Sequence, residues 1–302
     1  MDLKSKIILI YGPTASGKSD FAIKLAKKIK GEIVNADSMQ VYKELKILTA
    51  RPLKNKLQKI KHHLYGFQNS KADFSTGDWL KIVIKKINEI QKRKKIPILV
   101  GGTGLYFKAL TEGLVEITAI PYKFRNKIRL LQKSMGQKKF YKKLLKIDPS
   151  IVNYIKSTDA QRSIRAYEVK LFTKKSITEW YKSTKSKFKK KEFLQLYIDY
   201  PRSELIENII LRTKQMLKMG AVLEVKKFLR LRISENKSIS KAIGVAEIKD
   251  FIKNKITEEE VIEKISIKTR QYAKRQVTWA RGHMAKWKKI EPKRLNIFLK
   301  KI

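Results

Sequence analysis

The stretch Gly12-Pro13-Thr14-Ala15-Ser16-Gly17-Lys18-Ser19 decides the fold. It follows an apolar run, Lys6 to Tyr11, that is typical of a buried strand, and it precedes Ser19 to Lys30, whose apolar residues recur at helical spacing. A loop of the form G-x-x-x-x-G-K-[ST] between a strand and a helix surrounds phosphate oxygens with backbone N–H groups. The sequence therefore predicts a di- or triphosphate site in which Lys18 neutralises charge and Ser19 ligates Mg²⁺.

Strands and helices alternate outward from this loop. Glu32 to Ala36 is a second predicted strand, and helical patterning over Asp78 to Lys92 leads to a third strand, Ile96 to Val100. That strand breaks at Gly101-Gly102-Thr103-Gly104, and Leu194 to Asp199 is expected to return to the sheet. The pattern predicts an α/β fold with a parallel, P-loop NTPase-like sheet flanked by helices.

Between these segments the alternation stops. Residues 118–193 are rich in lysine and show helical patterning with no convincing strand. We expect an all-helical insertion there, with residues 1–117 and 194–302 forming the P-loop catalytic core. The insertion carries 22 basic and 5 acidic residues, a net charge of +17 over 76 residues, so the excess charge per residue is largest in this segment.

The composition narrows the class of protein further. The 302 residues include 71 Lys and Arg against 27 Asp and Glu, a formal charge of +44, with three His and no Cys. A disulfide framework, a thiolate nucleophile and a cysteine-based metal site are therefore excluded. The charge favours a polyanionic partner, although 57 of the basic residues are Lys and a compositional bias on solvated surfaces has the same appearance. No apolar run approaches the length of a membrane span, so we expect a cytoplasmic protein that does not enter a membrane.

The chemistry performed at the phosphate site is left open by these patterns. The strand that ends at Val100 lacks the acidic residue that usually holds the metal in ATPases, but Asp37 lies at the carboxyl end of the second strand. There it is expected to face the ligand crevice, as a general base, as an indirect Mg²⁺ ligand or only as a helix N-cap. A nucleotide or metabolite kinase and a non-catalytic RNA-binding ATP sensor are both compatible with such a site.

Seven blocks of this sequence resemble one family, the tRNA dimethylallyltransferases, also called tRNA isopentenyltransferases. They occur in the family's order and span nearly the whole chain: Gly12 to Ser19, Asp37 to Tyr42, His62 to Leu64, Gly101 to Tyr106, Asp159 to Arg162, Ala242 to Gly244 and Thr269 to Trp279. The resemblance implies transfer of a dimethylallyl group from dimethylallyl diphosphate to N6 of the adenosine on the 3′ side of the tRNA anticodon, with release of diphosphate.

The resemblance also implies the roles of individual residues. It makes Asp37 the base and gives Thr103, Lys18 and Arg212 catalytic roles at the diphosphate. It assigns diphosphate binding to Gly12, Pro13, Thr14, Ala15, Ser16, Gly17, Lys18 and Ser19, with Mg²⁺ on Ser19. It assigns tRNA binding to Asp37, Ser38, Met39, Gln40, Thr103, Arg125, Gln161, Arg162, Ser163, Ile164, Arg165, Lys241, Ala242, Ile243, Gly244, Lys274, Arg275, Gln276, Val277, Thr278, Trp279, Ala280 and Arg281. The helical insertion is expected to contact the anticodon arm, and a monomer is expected.

Three positions depart from the family pattern. Asn208 replaces an arginine, Val245 replaces an aromatic residue and Lys241 replaces a frequent arginine. These departures affect individual contacts with the diphosphate or the anticodon loop and leave the implied reaction unchanged.

Overall fold

The computed structural model describes residues 6–52, 60–115, 117–182 and 184–302. The chain divides into two compact units: a core unit, Met1–Thr111 with Phe188–Ile302, and a helical unit, Glu112–Lys187. Both boundaries of the helical unit lie six residues before those of the insertion expected at 118–193. A helix of the core unit ends at Glu112, and a strand begins at Phe193.

Among the described residues, the core unit is built on six parallel strands. They are β1 Ile7–Tyr11, β2 Glu32–Asn35, β3 His62–His63, β4 Pro97–Gly101, β5 Phe193–Ile198 and β6 Lys288–Ile290, in the order β3-β2-β4-β1-β5-β6. The α/β class and the parallel sheet expected from the sequence are confirmed. Sequence patterning missed β3 and β6, since runs of two and three residues are too short to show alternation.

The helices are α1 Lys18–Ile29, α2 Thr76–Lys92, α3 Gly104–Glu112, α4 Tyr122–Ile147, α5 Ala160–Thr173, α6 Ile177–Lys182, α7 Arg202–Lys218, α8 Ala221–Arg230, α9 Val245–Ile252, α10 Glu258–His283 and α11 Leu295–Lys301. Capping boxes at Ser75 and Thr257 begin α2 and α10. In the described ranges, no helix is long and apolar enough to cross a membrane.

The sheet is buried on both faces, as expected for parallel strands with crossover helices. Ile7, Leu9 and Tyr11 of β1 pack in one apolar cluster with Trp79 of α2. The alternate residues of β1 pack in a second cluster with α1 on the opposite face. Because both faces are covered, the carboxyl ends of the strands remain as the edge where polar side chains can converge on a ligand.

The helical unit contains α4, α5 and α6, with no strand among its described residues. Gly136, at φ 71° and ψ 161°, interrupts α4. Around this break the helices share one apolar core that includes Phe140, Leu144, Ala166 and Tyr167. The lysine-rich sequence therefore folds around an apolar interior and leaves most of its lysines exposed.

Candidate diphosphate and nucleic-acid site

The phosphate loop connects β1 to α1 in a conformation that favours an anion. Gly17 precedes α1 in the left-handed region at φ 72° and offers no side chain to cap the helix. The first amides of α1 are therefore available to a ligand, and the helix dipole adds positive potential there. Ala15 also has a positive φ of 62°, which concentrates backbone strain at this loop. The buried hydroxyl of Ser16 has no hydrogen-bond partner in the part of the chain that the structure describes.

A cavity of about 680 Å³ opens beside this loop within the core unit. Its size is that of a small-ligand site. Its walls come mainly from residues 14–20, residues 37–40 after β2, residues 46–52, α7 and the middle of α10. The segment 241–243 also contributes to the lining. Segments far apart in sequence thus meet at the carboxyl edge of the sheet, as the sequence predicts for the phosphate loop and Asp37.

Two half-buried cations, Lys18 and Arg212, line this cavity. Arg212 of α7 donates from Nη2 to Thr14 Oγ1 at 2.7 Å, and Lys18 Nζ donates to Pro13 O at 3.1 Å. Burial lowers the pKa of Lys18 to about 8, although the Asp37 carboxylate opposes the shift and Arg212 adds to it. Burial also lowers the pKa of Arg212 to about 10. A polyanion that binds between two cations in a poorly solvated site stabilises the charged form of both side chains.

Asp37 is held by its own turn at the end of β2. Its Oδ1 accepts from the N–H of Met39 at 2.9 Å and of Gln40 at 3.4 Å, and its N–H donates to Asn35 Oδ1 at 2.9 Å. No helix begins after Asp37 in this described stretch, so the N-cap interpretation is wrong. Asp37 instead caps a turn and uses only one carboxylate oxygen to do so. Oδ2 has no hydrogen-bond partner among the described residues, so it remains available to accept a proton.

Thr103 supports the same turn. Its Oγ1 accepts from the Ser38 N–H at 2.9 Å and donates to Ser38 Oγ at 3.3 Å. The Tyr272 hydroxyl of α10 also contacts Thr103; burial, with Asp37 as the second cause, raises the pKa of Tyr272. Tyr272 also lines the cavity, although it was not among the residues predicted to form the site.

Glu224 of α8 fixes another wall of the cavity. Its carboxylate accepts from three successive backbone N–H groups, those of Lys46, Ile47 and Leu48, at 2.7–3.0 Å. No sequence motif indicated this contact, because about 176 residues separate the partners. The wall at 46–52 is thereby attached to α8 by a single charged side chain.

We expect Glu224→Ala to destabilise the protein. The substitution leaves three backbone amides without their acceptor, which costs about 1–3 kcal/mol. Urea denaturation followed by circular dichroism measures the loss, with the exposed Glu263→Ala on α10 as the matched control. Equal midpoints for the two variants would contradict the attachment of the wall to Glu224.

The predicted tRNA-binding residues of α10 lie on different faces of the helix. Lys274, Arg275, Thr278 and Arg281 are exposed, whereas Val277 and Trp279 are half-buried. Gln276 and Ala280 are buried, at 4% and 3% exposure. The exposed residues at 274, 278 and 281 recur at spacings of four and three, so they form one solvated stripe.

The segment 241–244 leads into α9. Lys241 is exposed, Ala242 and Gly244 are buried and Ile243 is half-buried. The Gly244 N–H donates to Glu247 Oε2 at 2.9 Å, and Lys268 forms an ion pair with Glu247. Gly244 has a φ of 101°, a conformation that favours glycine.

Two predicted arginines of the helical unit share one buried carboxylate. Arg125 Nε and Arg165 Nη1 lie 3.7 and 3.5 Å from Glu168 Oε2, and Glu168 is 2% exposed. Burial raises the pKa of Glu168, while the neighbouring arginines oppose the shift. The guanidinium groups are therefore fixed as a pair, with part of each exposed.

The other predicted residues of this unit surround the start of α5. Asp159 caps the helix, accepting from the Arg162 N–H at 3.0 Å, and pairs with Arg162 Nε at 3.5 Å. Gln161 is exposed, Ile164 is half-buried and Ser163 is fully buried. Of this group, Gln161 and Arg162 offer the most exposed polar surface.

Two of the departures from the family pattern have clear surroundings. Asn208 lines the cavity, and its Nδ2 donates to the Tyr200 hydroxyl at 2.9 Å. Val245 is buried in the cluster that joins α8, α9 and α10. Asn208 thus supplies a neutral hydrogen-bonding group to the cavity wall, and Val245 contributes to packing.

The donor set suits Mg²⁺ only as an ion shared with a ligand. Ser19 lines the cavity with one hydroxyl, and no group of three or more His, Cys, Asp or Glu side chains among the described residues is placed to hold a metal ion. Mg²⁺ commonly uses few protein oxygens together with substrate phosphates and water. The residues present therefore fit an ion that enters with a diphosphate.

Taken together, the sheet, the loop and the carboxylate define a phosphate-loop protein with an acidic side chain facing its anion site. A sequence profile described as IPP transferase matches residues 40–283. The tRNA dimethylallyltransferase of Pelagibacter ubique (strain HTCC1062) is 60% identical over all of this chain and 96% of that protein. The chain belongs to the IPP transferase family.

Solved structures agree with this assignment. The tRNA Δ(2)-isopentenylpyrophosphate transferase of Staphylococcus epidermidis is 32% identical with a TM-score of 0.68, covering 98% of this chain and 96% of that one. A eukaryotic dimethylallyltransferase acting on tRNA is 28% identical with a TM-score of 0.83, covering 95% of this chain and 74% of that one. The chain therefore shares its fold with these transferases.

Proposed function

We propose that this protein transfers a dimethylallyl group from dimethylallyl diphosphate to N6 of the adenosine adjacent to the anticodon of tRNA on its 3′ side. The observation that carries the proposal is that Asp37 shares one cavity with the phosphate loop, Lys18 and Arg212. A carboxylate in this position can accept the proton that the attacking nitrogen must lose. The two cations can stabilise the negative charge of the leaving group.

The reaction needs one bond to form and one to break at the allylic carbon. The N6 nitrogen attacks that carbon, the carbon–oxygen bond to diphosphate breaks, and Asp37 Oδ2 accepts the N6 proton. Lys18, Arg212 and the amides of the phosphate loop stabilise the charge that develops on the leaving oxygen. Thr103 holds the turn that carries Asp37 through Ser38. Apolar side chains of the same cavity, including Ile47, Leu48 and Met216, suit the hydrocarbon part of the donor.

Mg²⁺ is the ion that we propose for this site. Ser19 would hold it, and the bound ion would neutralise part of the diphosphate charge. A monomer is the proposed functional unit, since one chain carries the phosphate loop, the base and the basic helix. We place the reaction in the cytoplasm, where tRNA is available for modification.

We assign tRNA binding to the exposed cations of both units, each considered by itself. The α10 stripe offers Lys274 and Arg281, and the helical unit offers Arg162 with the pair Arg125 and Arg165. Cations directed at phosphates, with aromatic surface nearby, are typical of RNA recognition. The adenosine must leave its stack to reach a base inside a cavity, so we expect the nucleotide to be flipped.

Incubation with labelled dimethylallyl diphosphate, Mg²⁺ and tRNA tests the reaction. We expect the label to enter the tRNA with release of one diphosphate for each group transferred. A kinase acting through the same loop would instead turn over ATP without tRNA, and family membership does not favour it. ATP turnover together with unlabelled tRNA would overturn the proposal.

Lys274→Ala is expected to weaken tRNA binding. Loss of one phosphate contact reduces the slope of log affinity against log salt by about 1. Titrations at several salt concentrations measure the slope, with Lys92→Ala at the far end of α2 as the control, because α2 ends at the amino edge of the sheet. If the slope is the same in wild type and Lys274→Ala, Lys274 makes no phosphate contact.

A further inference from the structure

Gln276 is a buried residue in the middle of the basic helix α10. It is 4% exposed, although the residues on both sides of it, Arg275 and Val277, have more surface. Its side chain cannot lie on the solvated stripe that carries Lys274 and Arg281. A buried amide requires internal hydrogen-bond partners, so the partners indicate what Gln276 does.

Both ends of the Gln276 amide bind backbone groups of catalytic loops. The Thr14 N–H of the phosphate loop donates to Oε1 at 2.8 Å, and Nε2 donates to Gly102 O at 2.9 Å. Gly102 belongs to the turn that follows β4 and carries Thr103. Thr14 lies 262 residues and Gly102 lies 174 residues from Gln276 in sequence. One side chain of α10 therefore joins two loops that are far from it, and from each other, along the chain.

The surroundings hold Gln276 in this position from two further directions. The Tyr11 hydroxyl at the end of β1 donates to Gln276 O at 2.9 Å. Tyr272, one turn earlier on α10, contacts both Gln276 and Thr103 through its hydroxyl. A Cβ atom at Gly102 would lie 2.0 Å from Gln276 Nε2, so the contact also requires glycine at position 102.

We propose that Gln276 is a positioning residue that fixes the phosphate loop relative to the turn of Thr103 and thereby sets the distance between the allylic donor and the base. The inference rests on the proposed function. Thr103 holds Ser38, and Ser38 follows Asp37, so the connection runs from the loop that binds the diphosphate to the group that accepts the proton. Gln276 acts through these loops and touches neither substrate.

This assignment predicts that substitutions of Gln276 lower kcat without changing the affinity for tRNA. Displacement of reacting groups by about 1 Å reduces rates by about 10²-fold. Gln276→Leu keeps the volume but removes both hydrogen bonds, and we expect kcat to fall by about 10²-fold while tRNA affinity stays at the wild-type value. Gln276→Glu keeps an acceptor for Thr14 and loses the donor to Gly102, so its kcat is expected to lie between those of Gln276→Leu and wild type.

Steady-state kinetics with dimethylallyl diphosphate and tRNA, together with equilibrium tRNA binding, test the proposal. Gln271→Leu, an exposed position on the same helix, is the matched control and is expected to keep wild-type kcat. Weakened tRNA binding with unchanged kcat in Gln276→Leu would overturn the proposal and make Gln276 an RNA contact. Absence of transfer by wild type would instead contradict the proposed function.

A double substitution tests the contact between Gly102 and Gln276 even if one of the single substitutions disturbs the fold. Gly102→Ala is expected to lower kcat, because its Cβ displaces the Gln276 amide. Gln276→Ala removes the obstructing atoms, so the double variant is expected to be no slower than Gln276→Ala alone. Multiplicative losses from the two substitutions, in variants with wild-type circular dichroism, would show that the residues act separately and would contradict the proposal.

Discussion

Asp37→Asn is expected to lower kcat by about 10²–10⁴-fold, because the amide cannot accept the N6 proton. The asparagine keeps a carbonyl oxygen in the place of Oδ1, so the bonds from Met39 and Gln40 can be retained. Asp37→Ala would remove those hydrogen bonds as well, so the effect of losing the base could not be separated from the effect of losing the turn. The amide variant therefore isolates the chemical step.

The same substitution is expected to tighten diphosphate binding. Asp37 interacts electrostatically with Lys18 and Arg212, and its negative charge opposes a bound polyanion in the same cavity. Calorimetry with diphosphate should show a several-fold lower Kd in Asp37→Asn, whereas Asp250→Asn on α9 serves as the control and should match wild type. Weaker diphosphate binding alongside the lost turnover would indicate that Asp37 only supports the structure of the site.

Lys18→Met is expected to lower kcat/KM by about 10²–10³-fold, since it removes a donor from the charge that develops on the leaving diphosphate. Lys24→Met, an exposed lysine of the same helix, is the matched control and should retain activity. Kinetics at several concentrations of dimethylallyl diphosphate separate the loss of binding from the loss of turnover.

Lys18→Met should also make the ligand-free protein more stable. The pKa of Lys18 is lowered from 10.5 to about 8 in the folded protein, so the charged form is destabilised there relative to the unfolded chain. The gain in thermal stability is therefore expected to be full below about pH 8 and to fade as the pH rises from about 8 to 10.5. A Lys18→Met protein that is less stable than wild type at pH 7 would show that Lys18 does not lie in a poorly solvated site next to another cation.

The sequence predicts those features that depend on local patterns. The phosphate loop is continuous in sequence, and Asp37 lies where a short apolar strand ends, so both could be placed at the carboxyl edge of a parallel sheet. The resemblance to the family extends this interpretation to Thr103 and Arg212. The α/β class follows from the alternation of buried strands and amphipathic helices, and the structure confirms it.

Features that depend on long-range contacts were not predictable in this way. Glu224 meets the amides of residues 46–48 only after α8 has packed beside that segment. In the sequence, Gln276 is indistinguishable from the other residues of a basic, RNA-binding helix. Only the fold shows that its amide is buried between the loops of Thr14 and Gly102. The short strand β6 is fixed by pairing with β5, since its three residues carry no recognisable pattern of their own.

Mass spectrometry of nucleosides from tRNA treated with wild type and with Asp37→Asn tests the central claim most directly. With dimethylallyl diphosphate and Mg²⁺ present, wild type should convert the adenosine next to the anticodon to a nucleoside with one dimethylallyl group on N6. Asp37→Asn should leave that adenosine almost entirely unmodified while still binding the tRNA. Unmodified adenosine after treatment with wild type, or equal conversion by both proteins, would contradict the account.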